Sequence, residues 1–366
     1  MDGFFGRLQE KCCVENRYFD IRGAQTGASF IAWLLGGTNV NPLPAHYYCP
    51  VCRKVEFVSG EKCGIDLLDK KCSCGKDYHK DGFGIDAVNM YPFCTWNEIC
   101  VSSNGTEIVK ECLQEYFKGY GEVRELKIAY NEEIEVYSSE NIRVTKFGLL
   151  SKEMDKKFPE GIITLQPGEY SRILDEISVL TVIENVEEQI CSKNLLNMEF
   201  TVQQLKAYFD YAVESGKYDG YDGDMKLDKV LSDIENPSFS DLLAISGFLH
   251  STGAWKGNAE HLYDKGIPLG ELISCREDVY AYLYDKLNGK CCDNPSGLVV
   301  EIKENVRKGK YTRGRMPDEI EQLLLESDVP KWYVESMKKI LYLFPKTHLI
   351  VLLKRDICKF VMMNNL

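Results

Sequence analysis

Two cysteine pairs constrain this chain more than any other feature. Cys49-Pro-Val-Cys52 is followed twenty residues on by Cys72-Ser-Cys74-Gly. Four soft thiolates in two close pairs are the donor set that tetrahedral Zn²⁺ needs. Residues 46–82 therefore read as a cysteine-rich knob. In a C-x₂-C turn the backbone N–H groups face the sulfurs; the C-x-C spacing of the second pair is less usual. Cys63 lies between the pairs, and His46 and His79 flank them, so one of these can replace a cysteine ligand. Four protein ligands leave no open position for water, which makes the expected role structural. The bland alternative is a metal-free knob with buried thiols.

The remainder is of ordinary composition. The 366 residues allow two or three domains, and 44% hydrophobic with 27% charged residues suits a globular protein. No apolar run approaches the ~18 residues of a membrane span. The N-terminus, MDGFFGRLQEKCC, lacks the basic-then-apolar order of a signal peptide. The expectation is a cytoplasmic chain with no membrane partner, its fifteen cysteines reduced or metal-bound rather than paired.

Charge is uneven. The formal net charge is −12, yet residues 237–366 hold 18 Lys and Arg against 17 Asp and Glu. The acidity belongs to the first two-thirds. Only the last part offers the basic stripe that nucleic-acid binding requires. Its densest stretch is VRKGKYTRGR at 306–315, with Arg307, Lys308, Lys310, Arg313 and Arg315.

Local patterns place these motifs. DIRGAQTGASF at 20–30 reads as a turn feeding a short helix at 30–35, ended by Gly36 and Gly37. Residues 108–118 have a helical period. Residues 122–190 are acidic, rich in Ile and Val, and alternate at EIEVY, with an apolar run at GIITL; they read as strands. Thr201 with Gln204 forms a capping box for a helix that faces inward through Leu205, Phe209 and Ala212. GKYDGYDGD at 216–224 is turn-rich. From 237 onward the pattern is helical, with Ser240 as one expected cap and Pro317 in the first turn of another helix.

Three stretches then agree with one another. They are RGAQTGAS at 22–29 with NVNPLPAHYYCPVC at 39–52 and DLLDKKCSCGKDYHKDG at 66–82; FPEGIITLQP at 158–167; and PSFSDLLAISGFLHSTGAWKGNAEHL from 237, continued by SCREDVYAYL, VRKGK and VPKWYVESMKKILYLFPKTH. In this order the chain closely resembles the palm-and-fingers portion of the Gram-positive PolC type of bacterial DNA polymerase III alpha subunit, of the C family. The resemblance implies an α+β fold: a mixed-sheet palm with an inserted zinc knob, followed by all-helical fingers. The implied division is 1–45 (palm start with a Gly-rich phosphate-type turn), 46–82 (knob), 83–215 (degenerate palm), 216–236 (linker) and 237–366 (fingers).

The resemblance also assigns roles. Arg307, Lys308 and Lys310 become ligands of nucleotide or template–primer phosphates, with His250, Lys338, Lys339, Lys346 and His348 on neighbouring finger surfaces. Arg22, Gly23, Gly27 and Ser29 stand in the family's phosphate-contacting turn, where Ala24 and Ala28 remove hydroxyl donors. Glycines permit close backbone approach, and Arg forks match phosphate geometry. The bland reading of the same residues is a solvated basic face and an ordinary turn-to-helix cap.

Chemistry in this family needs two Mg²⁺ ions held by three palm carboxylates. The stretch matching the acidic-x-acidic pair is PFCTWNEICVS, 92–102, which puts Trp96 and Glu98 at the acidic positions; a one-residue slip gives Asn97 and Ile99. Glu199 falls at the third position. At least one bridging carboxylate is thus replaced, and Mg²⁺ is expected only if the site is rebuilt from other acids such as Asp222, Asp224, Glu132, Glu133 or Glu135. The expected function is a PolC-like module without autonomous polymerase activity, binding nucleic acid, nucleotide or replication proteins. The alternatives are an active minimal or split DNA polymerase, and an interaction protein that uses the knob and the acidic 122–190 segment.

Overall fold

The computed structural model describes residues 4–15, 19–21, 28–34, 36–60, 62–86, 97–102, 108, 111–112, 115, 124–130, 132–139, 142–146, 180–186, 199–218, 221–222, 228–289 and 294–365. Among these, the elements in chain order are α1 (Phe4–Val14), β1 (Phe19–Ile21), α2 (Phe30–Leu34), β2 (His46–Tyr48), β3 (Val55–Phe57), β4 (His79–Asp81), β5 (Asn97–Ser102), β6 (Arg124–Tyr130), β7 (Glu132–Ser139), β8 (Ile142–Lys146), β9 (Leu180–Val186), α3 (Val202–Ser215), β10 (Lys217–Tyr218), β11 (Tyr221–Asp222), α4 (Asp228–Asp233), α5 (Phe239–His250), α6 (Glu260–Asp264), α7 (Arg276–Leu287), α8 (Pro295–Arg307), α9 (Lys310–Arg313), α10 (Asp318–Glu326), α11 (Lys331–Met337) and α12 (Lys346–Met363). The protein is α+β. No helix among the described residues is long and apolar enough to cross a membrane.

The chain divides into two compact units. One holds residues 1–41 and 90–198, the other 42–89 and 199–366. In the first, α1 buries Leu8 and Cys12, one helical turn apart, and its Lys11 reaches Glu111 and Glu115 at 3.3 and 3.0 Å. Ile108 and Cys112 are buried at the same four-residue spacing, and residues 108, 111–112 and 115 are helical, as their period predicts. A six-stranded mixed sheet runs in the order β1-β5-β9-β8-β7-β6. β5, β9 and β8 are mutually parallel; β1 and the β6–β7 hairpin add antiparallel strands at the two sides. The alternating EIEVY motif lies in β7, where β-branched and aromatic residues fit the pleat. The run GIITL lies outside the described residues.

In the second unit the knob has a small core of its own, and Phe83, just after it, meets the helices with its ring 5.9 Å from that of Phe239. β2 is the central strand of a small antiparallel sheet, order β3-β2-β4. α5 is buried along almost its whole length, from Phe239 to Phe248. Gly247 lets it approach Ser274: a Cβ there would lie 2.8 Å from the Ser274 carbonyl. α12 packs against α5 and α3, with the Phe360 ring 5.9 Å from Tyr208 and 5.0 Å from Tyr211. Thr201 and Gln204 form the predicted capping box of α3. The turn-rich stretch at 216–224 contains the β10–β11 hairpin, whose fully buried Tyr218 donates to the Leu242 carbonyl at 2.7 Å.

One capping expectation is corrected. Ser238, not Ser240, is the N-cap of α5, in a reciprocal box with Asp241. Ser240 is engaged elsewhere: its N–H and hydroxyl both donate to Asp66 of the knob, at 2.9 and 2.5 Å. Pro317 stands one residue before the first turn of α10 rather than inside it.

Candidate metal centre and predicted phosphate face

The knob is two tight turns facing each other. In the first, the Cys49 N–H bonds the Lys54 carbonyl at 2.9 Å; in the second, the Cys72 N–H bonds the Lys76 carbonyl at 2.7 Å. The residue after each second cysteine, Arg53 and Gly75, is left-handed, at φ +60° and +85°. These turns bring the sulfurs of Cys49, Cys52, Cys72 and Cys74 within 4.8 Å of one another. The Cys49–Cys74 and Cys52–Cys72 separations are 3.5 and 3.3 Å. Four thiols at this spacing can share one metal ion.

Backbone donors tune the set. Cys49 is drawn below the usual thiol range, chiefly by the Cys52 N–H and then by that of Val51. Cys72 is lowered to about 6, first by the Cys74 N–H. The Lys54 N–H pulls Cys52 down, but the neighbouring sulfurs of Cys72 and Cys49 outweigh it and push it up to about 12. Cys74 is raised, the Cys49 sulfur outweighing the Lys76 N–H. Four crowded sulfurs cannot all be thiolates unless a cation joins them, and N–H donors aimed at each sulfur suit that charged state. The donor set therefore fits a thiophilic divalent ion, which would be held by these four residues.

The replacement ligands are otherwise employed. His46 is buried, with Nδ1 on the Pro44 carbonyl at 2.7 Å. Cys63 is buried outside the cluster, and burial pushes its thiol up. His79 pairs with Glu199 at 2.7 Å. Behind the sulfurs, Cys49 and Cys72 pack with Ala45, Tyr47, Leu67 and Tyr78. Tyr78 donates to Glu56 at 2.7 Å, and Glu56 also meets Lys54 and Lys70. Lys54, then Lys70 and Tyr78, hold Glu56 down at about 2.

The predicted phosphate face is built where three segments meet. Thr252 exchanges bonds with Tyr342 and Leu341, each N–H to carbonyl at 2.9 Å. The Leu343 N–H reaches the Arg307 carbonyl at 3.3 Å, and the Thr312 hydroxyl donates to the Ile340 carbonyl. Gly309, at φ +63°, lies so close to residue 341 that a Cβ would sit 2.4 Å from its carbonyl oxygen. His348 stacks on Phe344 and His250 packs against it at a tilt, each ring centroid 5.1 Å from that of Phe344. The fold thus gathers the segments carrying His250, Arg307, Lys308, Lys310, Lys338, Lys339, Lys346 and His348.

Their charges are mostly committed to protein partners. Arg307 forks onto Glu304, its Nη2 at 2.8 Å, and Lys308 and Lys303 approach the same carboxylate at 3.5 and 3.7 Å. Burial would raise Glu304, but Arg307 and then Lys303 bring it below the usual range. Lys338 lies between Glu321 and Glu335 at 2.6 and 3.1 Å. Lys339 donates to the Gly257 carbonyl at 3.0 Å. Lys346 is buried and donates its ammonium to the Phe83 carbonyl at 2.6 Å. Lys310 is exposed and makes no ion pair among the described residues.

Elsewhere the predicted residues are less fully placed. Ser29 caps α2, accepting from the Ala32 N–H at 3.2 Å. Arg22, Gly23, Gly27 and Trp96 lie outside the described residues, as does Asp224. Glu98 is on β5, in register with Thr181 of β9. Glu132, Glu133 and Glu135 are on β7 and Asp222 on β11.

Two important carboxylates escaped the sequence reading. Glu304 was legible, because Arg307 and Lys308 follow it at i+3 and i+4 on one helix face. Asp66 gave no local signal, since its partners are Phe239 and Ser240.

No family model matches the chain. Curated relatives do, over nearly all of it. The PolC-type DNA polymerase III of Bacillus cereus is 28% identical over 420 residues, covering 93% of this chain and 28% of that protein. The chain resembles PolC-type DNA polymerase III. The counterparts in Caldanaerobacter subterraneus and Staphylococcus aureus are 28% and 27% identical over 411 and 419 residues, covering 94% and 93% of this chain. The chain spans under a third of the length of these PolC-type relatives.

Proposed function

We propose that this chain is a PolC-related palm-and-fingers protein that binds nucleic acid, nucleotide or a replication protein without polymerising DNA by itself. One observation carries the reading. Where the resemblance calls for acidic-x-acidic on a palm strand, the chain has Trp96-Asn97-Glu98. An indole supplies neither the charge nor the oxygen that Mg²⁺ requires. Two observations support it. Glu199 is paired with His79, and most finger cations are paired with protein groups. The mixed sheet that carries Glu98 is, on this reading, the palm; the helices from 237 are the fingers; and the four cysteines hold structural zinc. Lys310 and Lys308 are the cations best placed to meet phosphate.

Primer extension tests this directly. The purified chain, given a primed template, dNTPs and Mg²⁺ or Mn²⁺, is expected to add no nucleotide. Extension that disappears in the Glu98→Ala, Glu199→Ala double variant would establish the active minimal polymerase instead.

A further inference from the structure

The two cysteine pairs bracket a segment that reaches out of the knob. Residues 53–71 connect Cys52 to Cys72, and Asp66 lies within them. Its carboxylate accepts from the Phe239 N–H at 2.6 Å, the Ser240 N–H at 2.9 Å and the Ser240 hydroxyl at 2.5 Å. Those donors are the first residues of α5, the most buried helix of its unit. A helix start leaves its first N–H groups without intrahelical partners and favours negative charge. Asp66 supplies both an acceptor and a charge from a distant part of the sequence, while Ser238 supplies the local cap.

The position of Asp66 depends on the sulfurs. Its neighbour Leu67 is packed with Cys49 and Cys72. The Asp66 N–H bonds the Cys63 carbonyl at 3.2 Å, and the Gly64 N–H bonds the Gly82 carbonyl at 2.6 Å. Gly64 fits there only as glycine, since a Cβ would lie 1.9 Å from the Asp81 carbonyl oxygen. With all four sulfurs on one ion, both ends of the segment are fixed at a single point. Without it, four thiolates repel or take up protons, and the segment regains loop entropy.

We propose that the four-cysteine knob is a metal-dependent clamp on α5, and that Asp66 is the positioning residue that carries metal occupancy into the helical part. The chain of contact is short: ion, Cys49 and Cys72, Leu67, Asp66, helix start. The proposal does not rest on the polymerase reading and holds whether or not nucleic acid is bound.

Hydrogen exchange of the full-length chain, zinc-loaded and chelator-treated, tests it. On zinc removal the amides of residues 239–245 are expected to exchange about tenfold to a hundredfold faster, the ratio implied by losing hydrogen bonds to a buried carboxylate. In Asp66→Asn these amides exchange fast with or without the metal, because an amide offers one acceptor oxygen where three donors converge. That variant retains one zinc per chain by elemental analysis. Ser240→Ala, a milder change, shows an intermediate metal effect, and Asp69→Asn, on the exposed surface, behaves as wild type. The clamp is refuted if chelation leaves 239–245 protected in the wild type. It is equally refuted if Asp66→Asn shows the full metal-dependent change.

Discussion

Arg53 and Gly75 hold equivalent places, each just after the second cysteine of a pair, and both are left-handed. Only one is glycine. Nothing lies within 4 Å of a Cβ built on Gly75, so a side chain there meets only the backbone's own preference. Gly75→Ala is expected to destabilise the zinc-loaded protein by about 1 kcal/mol, and Arg53→Gly to leave it unchanged or slightly more stable. Thermal unfolding at fixed free zinc measures both; equal effects would show that the two turns are not equivalent. The contrast also marks what one residue reveals in a sequence. Gly after Cys74 announces a left-handed turn, whereas arginine after Cys52 hides the same geometry.

Helix α5 shows how far a single element can be read. Its apolar run and its start near 238 were legible, because Ser238 and Asp241 have capping spacing. Ser240 is as good an N-cap by residue type, but the tertiary acceptor Asp66 engages its hydroxyl. The alternating EIEVY made the strand β7 legible; the sheet order was not, because the β5–β9 pairing joins segments some eighty residues apart. Ser238→Ala removes the local half of the cap and is expected to cost about 1 kcal/mol, read from the midpoint of denaturant unfolding. A loss near zero would mean that Asp66 alone satisfies the helix start.

At the scale of the whole molecule, the cations singled out from the sequence are largely engaged by the protein itself: carboxylates hold Arg307, Lys308 and Lys338, and backbone carbonyls take Lys339 and the buried Lys346. Glu304 is the clearest case, with Arg307, Lys303 and Lys308 about it. If the face meets nucleic acid, binding to primed DNA should weaken with salt at a shallow log–log slope of about −3, a few phosphates' worth. Glu304→Gln should tighten binding and steepen that slope by about one unit as Arg307 becomes available. An unchanged slope with that variant would exclude Arg307 from the interface. The cationic run was visible in the sequence; its neutralisation followed from helix spacing and from folding.

The unit that contains the knob is interrupted in sequence, since residues 90–198 belong to the other unit. Asp66 and Phe239 are 173 residues apart. At translation speeds of about 5–20 residues per second, the ribosome takes roughly 10–35 s to make the helix start after it has made the carboxylate. Cys49 to Cys74 are made before α5 and, on the clamp proposal, can take up a metal ion while that helix is still unmade. On the clamp proposal, a shortage of the metal during synthesis would therefore be felt first in the knob and register only later, at the helix start that Asp66 holds.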